Sequence, residues 1–169
     1  MDIVQVLLII ALVTTGLSAG VFFTFTTLIV PGLRDAPARE SLAGFQTIDR
    51  RLQPTAPSVD WQPVFGVVVF GTSILLPVVF VVSLSSLSTT SSVLLAAAAL
   101  LYAAGFWLPT LTVILPFNNR VRDMRLEDAS AEAIAAMRAE FDRVWVGWNL
   151  VRTVASTLSL VLLAIAAVA

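Results

Sequence analysis

Val144-Trp-Val-Gly-Trp-Asn-Leu-Val-Arg-Thr-Val-Ala-Ser-Thr-Leu-Ser-Leu-Val-Leu-Leu-Ala-Ile-Ala-Ala-Val-Ala169 carries a single charge, Arg152. A helix needs about 20 predominantly apolar residues to cross a bilayer, and this stretch is long enough. Counted from Val144, the guanidinium lies ~12 Å along a helix that rises ~1.5 Å per residue. A charge at that depth costs at least ~2.5–3.5 kcal/mol on insertion scales, so a neighbour must satisfy it. Trp145, Trp148, Asn149, Arg152 and Ser156 recur at steps of three and four and share one helix face. Two readings stay open on these residues alone. Either Arg152 turns inward against polar partners, or its stem lets it snorkel to the headgroups beside tryptophan anchors.

Composition supports the membrane reading. Of 169 residues, 58% are apolar and 12% charged, with a mean hydropathy of +0.94. Soluble domains carry about 25% charge. A net charge of −1 gives no basic face for nucleic acid. Cysteine and histidine are absent, which removes the usual ligands of haem, iron–sulfur clusters, copper and structural zinc. Every basic residue is arginine, so no lysine Schiff base can form and a pyridoxal enzyme is excluded. No cofactor is expected.

Three further spans precede the last. Residues 3–31 are uncharged and too long for the apolar core of a signal peptide, so they read as a retained helix ending near Pro31-Gly32. Within it Gly16-Leu-Ser-Ala-Gly20 is a small-xxx-small pattern through which a second copy can pack. Thr14, Ser18, Phe22 and Thr26 lie toward the interior, or the threonines bond back to their own helix. Ala38 to Leu52 reads as an amphipathic helix, with Leu42, Phe45, Ile48 and Leu52 on one side. Arg39, Glu40, Asp49, Arg50 and Arg51 lie largely opposite. It rests on the membrane surface, caps the helices, or serves as a lid over substrate. Gln53-Pro-Thr-Ala-Pro57 breaks the chain before a second span over 61–84, which Trp61 anchors and Pro77 kinks. Ser83 to Ser92 forms an uncharged turn before a third span over 93–117.

In that third span Tyr102 and Trp107 flank the carbonyl freed by Pro109, where an aromatic pair either lines a pocket or packs. Leu115-Pro-Phe-Asn118-Asn119-Arg120 closes it with two amides, which cap, bridge helices or face a ligand. Ser130 is placed to cap a helix that carries Ile134, Met137, Phe141, Val144 and Trp148 in one stripe and continues unbroken into the span over 144–168. The expected fold is all-α, a polytopic four-helix transmembrane bundle with amphipathic cytoplasmic connectors, in one domain over 1–169. Its two long connectors hold nine arginines, whereas the termini and the serine-rich turn hold none. The positive-inside rule puts the connectors in the cytoplasm and both termini outside, in the cell membrane.

Several of these features together resemble the anthrone-oxygenase-like integral membrane family. They are the glycine-bearing first helix ending at Pro31, Phe45-Gln-x-Ile48, Leu115-Pro-Phe-Asn118-Asn119, and Trp148-Asn149-x-x-Arg152. The resemblance implies oxidation of anthrones to anthraquinones by dioxygen without an evident cofactor. It also implies Asn119, Trp148, Asn149 and Arg152 as site residues, to which position adds Asn118, Trp107 and Tyr102 as substrate contacts. Arg152 is suited to stabilise an enolate, Trp148 to stack on a flat ring, and the amides to orient its oxygens. No base is evident, because the eleven carboxylates lie in the connectors or near the chain ends, with Asp60 and Asp142 nearest the membrane. The expected partners are the bilayer, a hydrophobic aromatic molecule, dioxygen, and a second copy through Gly16 and Gly20. Two non-enzymatic readings stand beside this one: a bundle that binds or carries a lipid, quinone or similar molecule, and a structural membrane subunit.

Overall fold

The computed structural model describes residues 2–53 and 62–169, and every regular element among them is helical. In chain order they form α1 (Ile3–Asp35), α2 (Ala38–Arg51), α3 (Gln62–Ser83), α4 (Thr89–Asp123) and α5 (Ala131–Val168). All but α2 are long and apolar enough to cross a membrane, so the chain is a multi-pass integral membrane protein. The break expected from Pro54 to Pro57, and the roles expected of Asp60 and Trp61, fall outside the described residues.

Side-chain caps set where the helices begin. The Asp2 carboxylate accepts from the Gln5 amide at 2.8 Å while the Gln5 side chain accepts from the Asp2 amide at 3.1 Å. This reciprocal pair satisfies two donors that a helix start leaves unpaired. Ser88 Oγ accepts from the Ser91 amide, which starts α4 four residues before Val93. Ser130 caps α5 as its position suggested, accepting from the Ala133 amide at 3.2 Å.

Pro31 does not end α1. A wide turn over Phe25–Ile29, in which the Val30 amide donates to the Phe25 carbonyl, carries the helix on to Asp35. Two similar turns occupy Ala103–Trp107 and Thr110–Ile114 of α4. Each of the three ends two residues before a proline: Pro31, Pro109 and Pro116. A proline ring inside an α-helix clashes with the carbonyl four residues back. That carbonyl falls within the widened turn in all three cases, so the helix absorbs the ring without breaking.

Each long helix packs on its sequence neighbour, and α5 closes back on α1, so the four form a ring. Small residues bring α4 and α5 together. A Cβ added at Gly105 would lie 2.1 Å from the Ala155 Cβ, and Ser159 Oγ donates to the Ala98 carbonyl at 2.8 Å. Outward faces are apolar, as at Val67, Ile74 and Leu100. Such surface would be a liability in water but is matched to lipid, where packing and polar bonds rather than hydrophobic exclusion hold helices together.

Two apolar clusters fill the interior. One, built on Leu8, Leu76, Leu95, Phe106 and Leu163, lies toward the chain ends and the serine-rich turn. The other lies at the arginine-bearing end, where Phe45, Phe141 and Trp145 meet with centroids 4.9–5.3 Å apart. The helix α2 caps this second cluster. Its buried face is Leu42, Phe45, Gln46 and Asp49, whereas Ile48 is half-buried and Leu52 exposed. This corrects the expected placement of Asp49 on the solvated side. Gln46 Nε2 ties the cap to the end of α4, donating to the Val121 carbonyl at 2.7 Å and the Met124 carbonyl at 2.8 Å. Surface ion pairs surround it, including Arg120 with Glu140 and Arg34 with Asp142, each worth about 0–1 kcal/mol.

Candidate functional site

A fourth wide turn, Phe141–Trp145, has no proline behind it. It inserts one extra residue into the turn of α5, and the buried register shifts by one. Beyond Phe141 the inward positions become Trp145, Asn149 and Arg152, instead of Val144 and Trp148. Wide turns of this kind recur at functional sites. Here the turn aims an indole, an amide and a guanidinium into the space between the two apolar clusters.

Arg152 is only 7% exposed and makes no ion pair among the described residues. Its side chain donates from Nη2 to Asn149 Oδ1 at 2.7 Å. The guanidinium carbon sits 4.8 Å from the Phe22 ring centroid and 5.5 Å from that of Trp145. Such cation–π contacts contribute about 0.5–2 kcal/mol each, more when dry. Asn149 is itself held by α1, donating to Thr26 Oγ1 at 2.9 Å and to the Phe22 carbonyl at 3.2 Å. Thr26 Oγ1 and Thr153 Oγ1 lie 2.9 Å apart and close the network. Arg152 Nε has no hydrogen-bond partner among the described residues. The snorkelling alternative fails on this geometry: Arg152 faces inward.

Beside it lies a cavity of about 590 Å³. Phe22, Phe65, Val69, Phe70, Phe106 and Ile114 give it apolar walls. Arg152, Thr110, Asn118, Gln53 and Asp49 add polar groups, and Thr110 Oγ1 is buried without a hydrogen-bond partner among the described residues. A mostly apolar hollow of a few hundred Å³ with few polar groups is the usual form of a small-molecule site.

Asn118 connects the guanidinium region to the carboxylate. Trp145 Nε1 donates to its Oδ1 at 2.9 Å, and its own Nδ2 donates to Asp49 Oδ1 at 3.0 Å. Asp49 Oδ2 accepts from Arg122 at 2.8 Å and from Gln53 Nε2 at 3.3 Å. The Asp49 side chain is 3% exposed. A carboxylate therefore does reach the site, delivered by the connector rather than by a span.

The seven expected site residues separate into three groups. Arg152 and Asn118 line the cavity, and Asn149 holds Arg152. Tyr102 and Trp107 belong to the core behind Phe106. Tyr102 is fully buried and donates to the Val69 carbonyl at 3.1 Å, while Trp107 packs on Phe70 and Phe106. Asn119 and Trp148 stand apart. Asn119 is exposed and accepts from Arg122, and Trp148 is 39% exposed on the outer face because the register shift gives its place to Trp145. Asp49 and Thr110 were not foreseen as site residues, and Trp145, read on the same face as Arg152, was not among the seven. For Asp49 a signal existed, since Leu42, Phe45 and Asp49 follow the i, i+3, i+7 rhythm as well as Leu42, Phe45 and Ile48 follow theirs.

The family model described as anthrone oxygenase matches residues 61–162, well over half of the chain, and the chain belongs to that family. The matched stretch contains Thr110, Asn118, Trp145, Asn149 and Arg152, whereas Phe22, Thr26 and Asp49 precede it. No curated protein and no solved structure matches the chain.

Proposed function

We propose that the cavity binds a flat hydrophobic aromatic ketone of the anthrone type, which the protein oxidises with dioxygen. The observation that carries the reading is a buried guanidinium with no counter-ion among the described residues, at the wall of an apolar cavity, in a chain of this family. A fixed cation costs least when it meets charge that develops during reaction, and it acts most strongly where water is excluded. The keto oxygen of such a ligand becomes an enolate oxygen once the methylene carbon across the ring loses a proton. The enolate passes one electron to dioxygen, and the resulting radical and superoxide combine at carbon. The peroxide, reprotonated, then loses water to leave a second carbonyl. The balance is one anthrone and one dioxygen to one anthraquinone and one water.

In this scheme Arg152 meets the enolate oxygen, Asn149 and the Phe22 and Trp145 rings fix its guanidinium, and Thr110 and Asn118 orient the ligand's remaining oxygens. Phe22, Phe70 and Phe106 face the flat rings. Aerobic incubation of the purified protein with anthrone tests it through oxygen uptake and absorbance of the quinone. The expected result is a rate above spontaneous oxidation with one dioxygen consumed per quinone. Saturable binding at the spontaneous rate would make the protein a carrier instead.

We also propose that the arginine-bearing connectors face the cytoplasm of the cell membrane, with both termini outside, supported by nine connector arginines against none at the opposite end. The chain has no native thiol, so a Ser88→Cys variant reports the side directly. Labelling by an impermeant reagent from outside is expected, and labelling only from the cytoplasm reverses the assignment. Self-association through Gly16 and Gly20 is supported by the open groove they line on α1, where a Cβ added at Gly20 would meet no described atom outside its own helix backbone within 4 Å. Gly20→Leu should then reduce the particle mass in mild detergent, and an unchanged mass excludes that face.

A further inference from the structure

We infer that Asp49 accepts the substrate's proton, an assignment that rests on the anthrone-type reading above and gives it the base that the sequence lacked. Among the described residues that line the cavity, Asp49 contributes the one carboxylate. Its side chain is almost fully buried, although a hydrophobic residue of similar size at such a place is often as stabilising as a buried ion pair. Fastening α2 to α4 does not require it, because Gln46 already bonds two carbonyls at the end of α4. The position therefore has a reason other than docking the cap.

The surroundings suit a proton acceptor. An ionised carboxylate offers about four lone-pair sites. Asn118 takes one on Oδ1, while Arg122 and Gln53 take two on Oδ2, so among the described residues a site on Oδ1 stays open. The two charged groups of the cavity are also kept apart. Between them stand the Trp145 indole, whose ring meets Arg152, and the Asn118 amide, which bonds both Trp145 and Asp49. Arg152 and Asp49 therefore do not quench each other in an ion pair, and a ligand lying between them meets a cation at one side and a carboxylate at the other.

That polarity defines the substrate class. It fits an aromatic ketone whose acidic C–H lies across the ring from its carbonyl. The C–H bond breaks and its electron pair moves through the ring to the oxygen that faces Arg152. The proton goes to Asp49 Oδ1, which becomes a carboxylic acid, and it returns when the peroxide is protonated. No other co-reactant is needed for this step.

Proton transfer can be read separately from oxidation. Anthrone is held without oxygen in deuterated buffer with the purified full-length protein, and deuterium uptake at its methylene carbon is followed above the protein-free rate. The wild type is expected to accelerate exchange. Asp49→Asn should lose this by about 100-fold or more, the range of a general base, while still binding anthraquinone. Asp49→Gly should recover part of the exchange when formate is added. If Asp49→Asn fails to fold, Arg122→Gln decides, since it breaks the same ion pair but keeps the carboxylate. Retained exchange in Arg122→Gln supports the assignment, and loss as complete as in Asp49→Asn makes the pair structural and overturns it. Wild-type exchange in Asp49→Asn overturns the assignment of Asp49 alone. A wild type with neither exchange nor oxygen uptake overturns the anthrone reading and the assignment with it.

Discussion

At the residue scale, Arg152 is held by the amide and the two rings around it. Lysine keeps a charge but lacks the planar fork that bonds Asn149 while lying against two rings. Arg152→Lys should therefore lose turnover while the protein still folds. Arg152→Met should be as stable as the wild type or more so, because it removes a desolvated charge. Turnover measured beside thermal stability in detergent separates the two effects, and full activity in Arg152→Lys contradicts the site. Asn149→Leu should cost about 1–3 kcal/mol, since it strands the Arg152 donor and removes both bonds to α1. A melting temperature unchanged from wild type would show that this network does not hold α5 to α1. The two tryptophans should also behave differently. Trp145→Ala should abolish turnover, and Trp148→Ala, on the outer face, should change it less than about twofold, which corresponds to ~0.4 kcal/mol.

At the element scale the wide turns explain both what could be read from the sequence and what could not. The four spans were legible because uncharged apolar length is a strong signal, and Arg152 and Asn149 stood out as polar groups inside one of them. The helix end expected at Pro31 is absent, because a widened turn before that proline lets the helix continue. The Phe141–Trp145 turn has no sequence marker of that kind, and its one-residue shift exchanged Trp148 for Trp145. Asp49 was hidden for a different reason. A charged residue in an amphipathic connector is ordinarily solvated, and only the docking of α2 on α4 buries it. The closest helix approach offers a separate test. At Gly105 an added methyl meets the Ala155 Cβ at 2.1 Å, so Gly105→Ala should destabilise by about 1–3 kcal/mol. Adding Ala155→Gly should recover most of that loss, and a double variant no more stable than Gly105→Ala would place the strain elsewhere.

At the scale of the whole molecule, the ring of helices presents lipid with an apolar exterior and keeps its polar groups for a few interior places. Hydroxyls such as Ser159 and Tyr102 bond backbone across helices, where each small contact adds specificity to packing that lipid does not drive. The cavity is different, because Arg152 Nε and Thr110 Oγ1 have no hydrogen-bond partners there among the described residues. The cap formed by α2 closes the same region and supplies Asp49, so connector and spans build one site together. The central claim is that this interior guanidinium receives the oxygen of a flat aromatic ketone. An experimental structure of the protein saturated with anthraquinone tests it most directly. The rings are expected between Phe22, Phe70 and Phe106, with one carbonyl oxygen within hydrogen-bonding distance of the Arg152 guanidinium. A ligand found only on the lipid-facing surface, or Arg152 turned out toward the headgroups with the cavity empty, would contradict it.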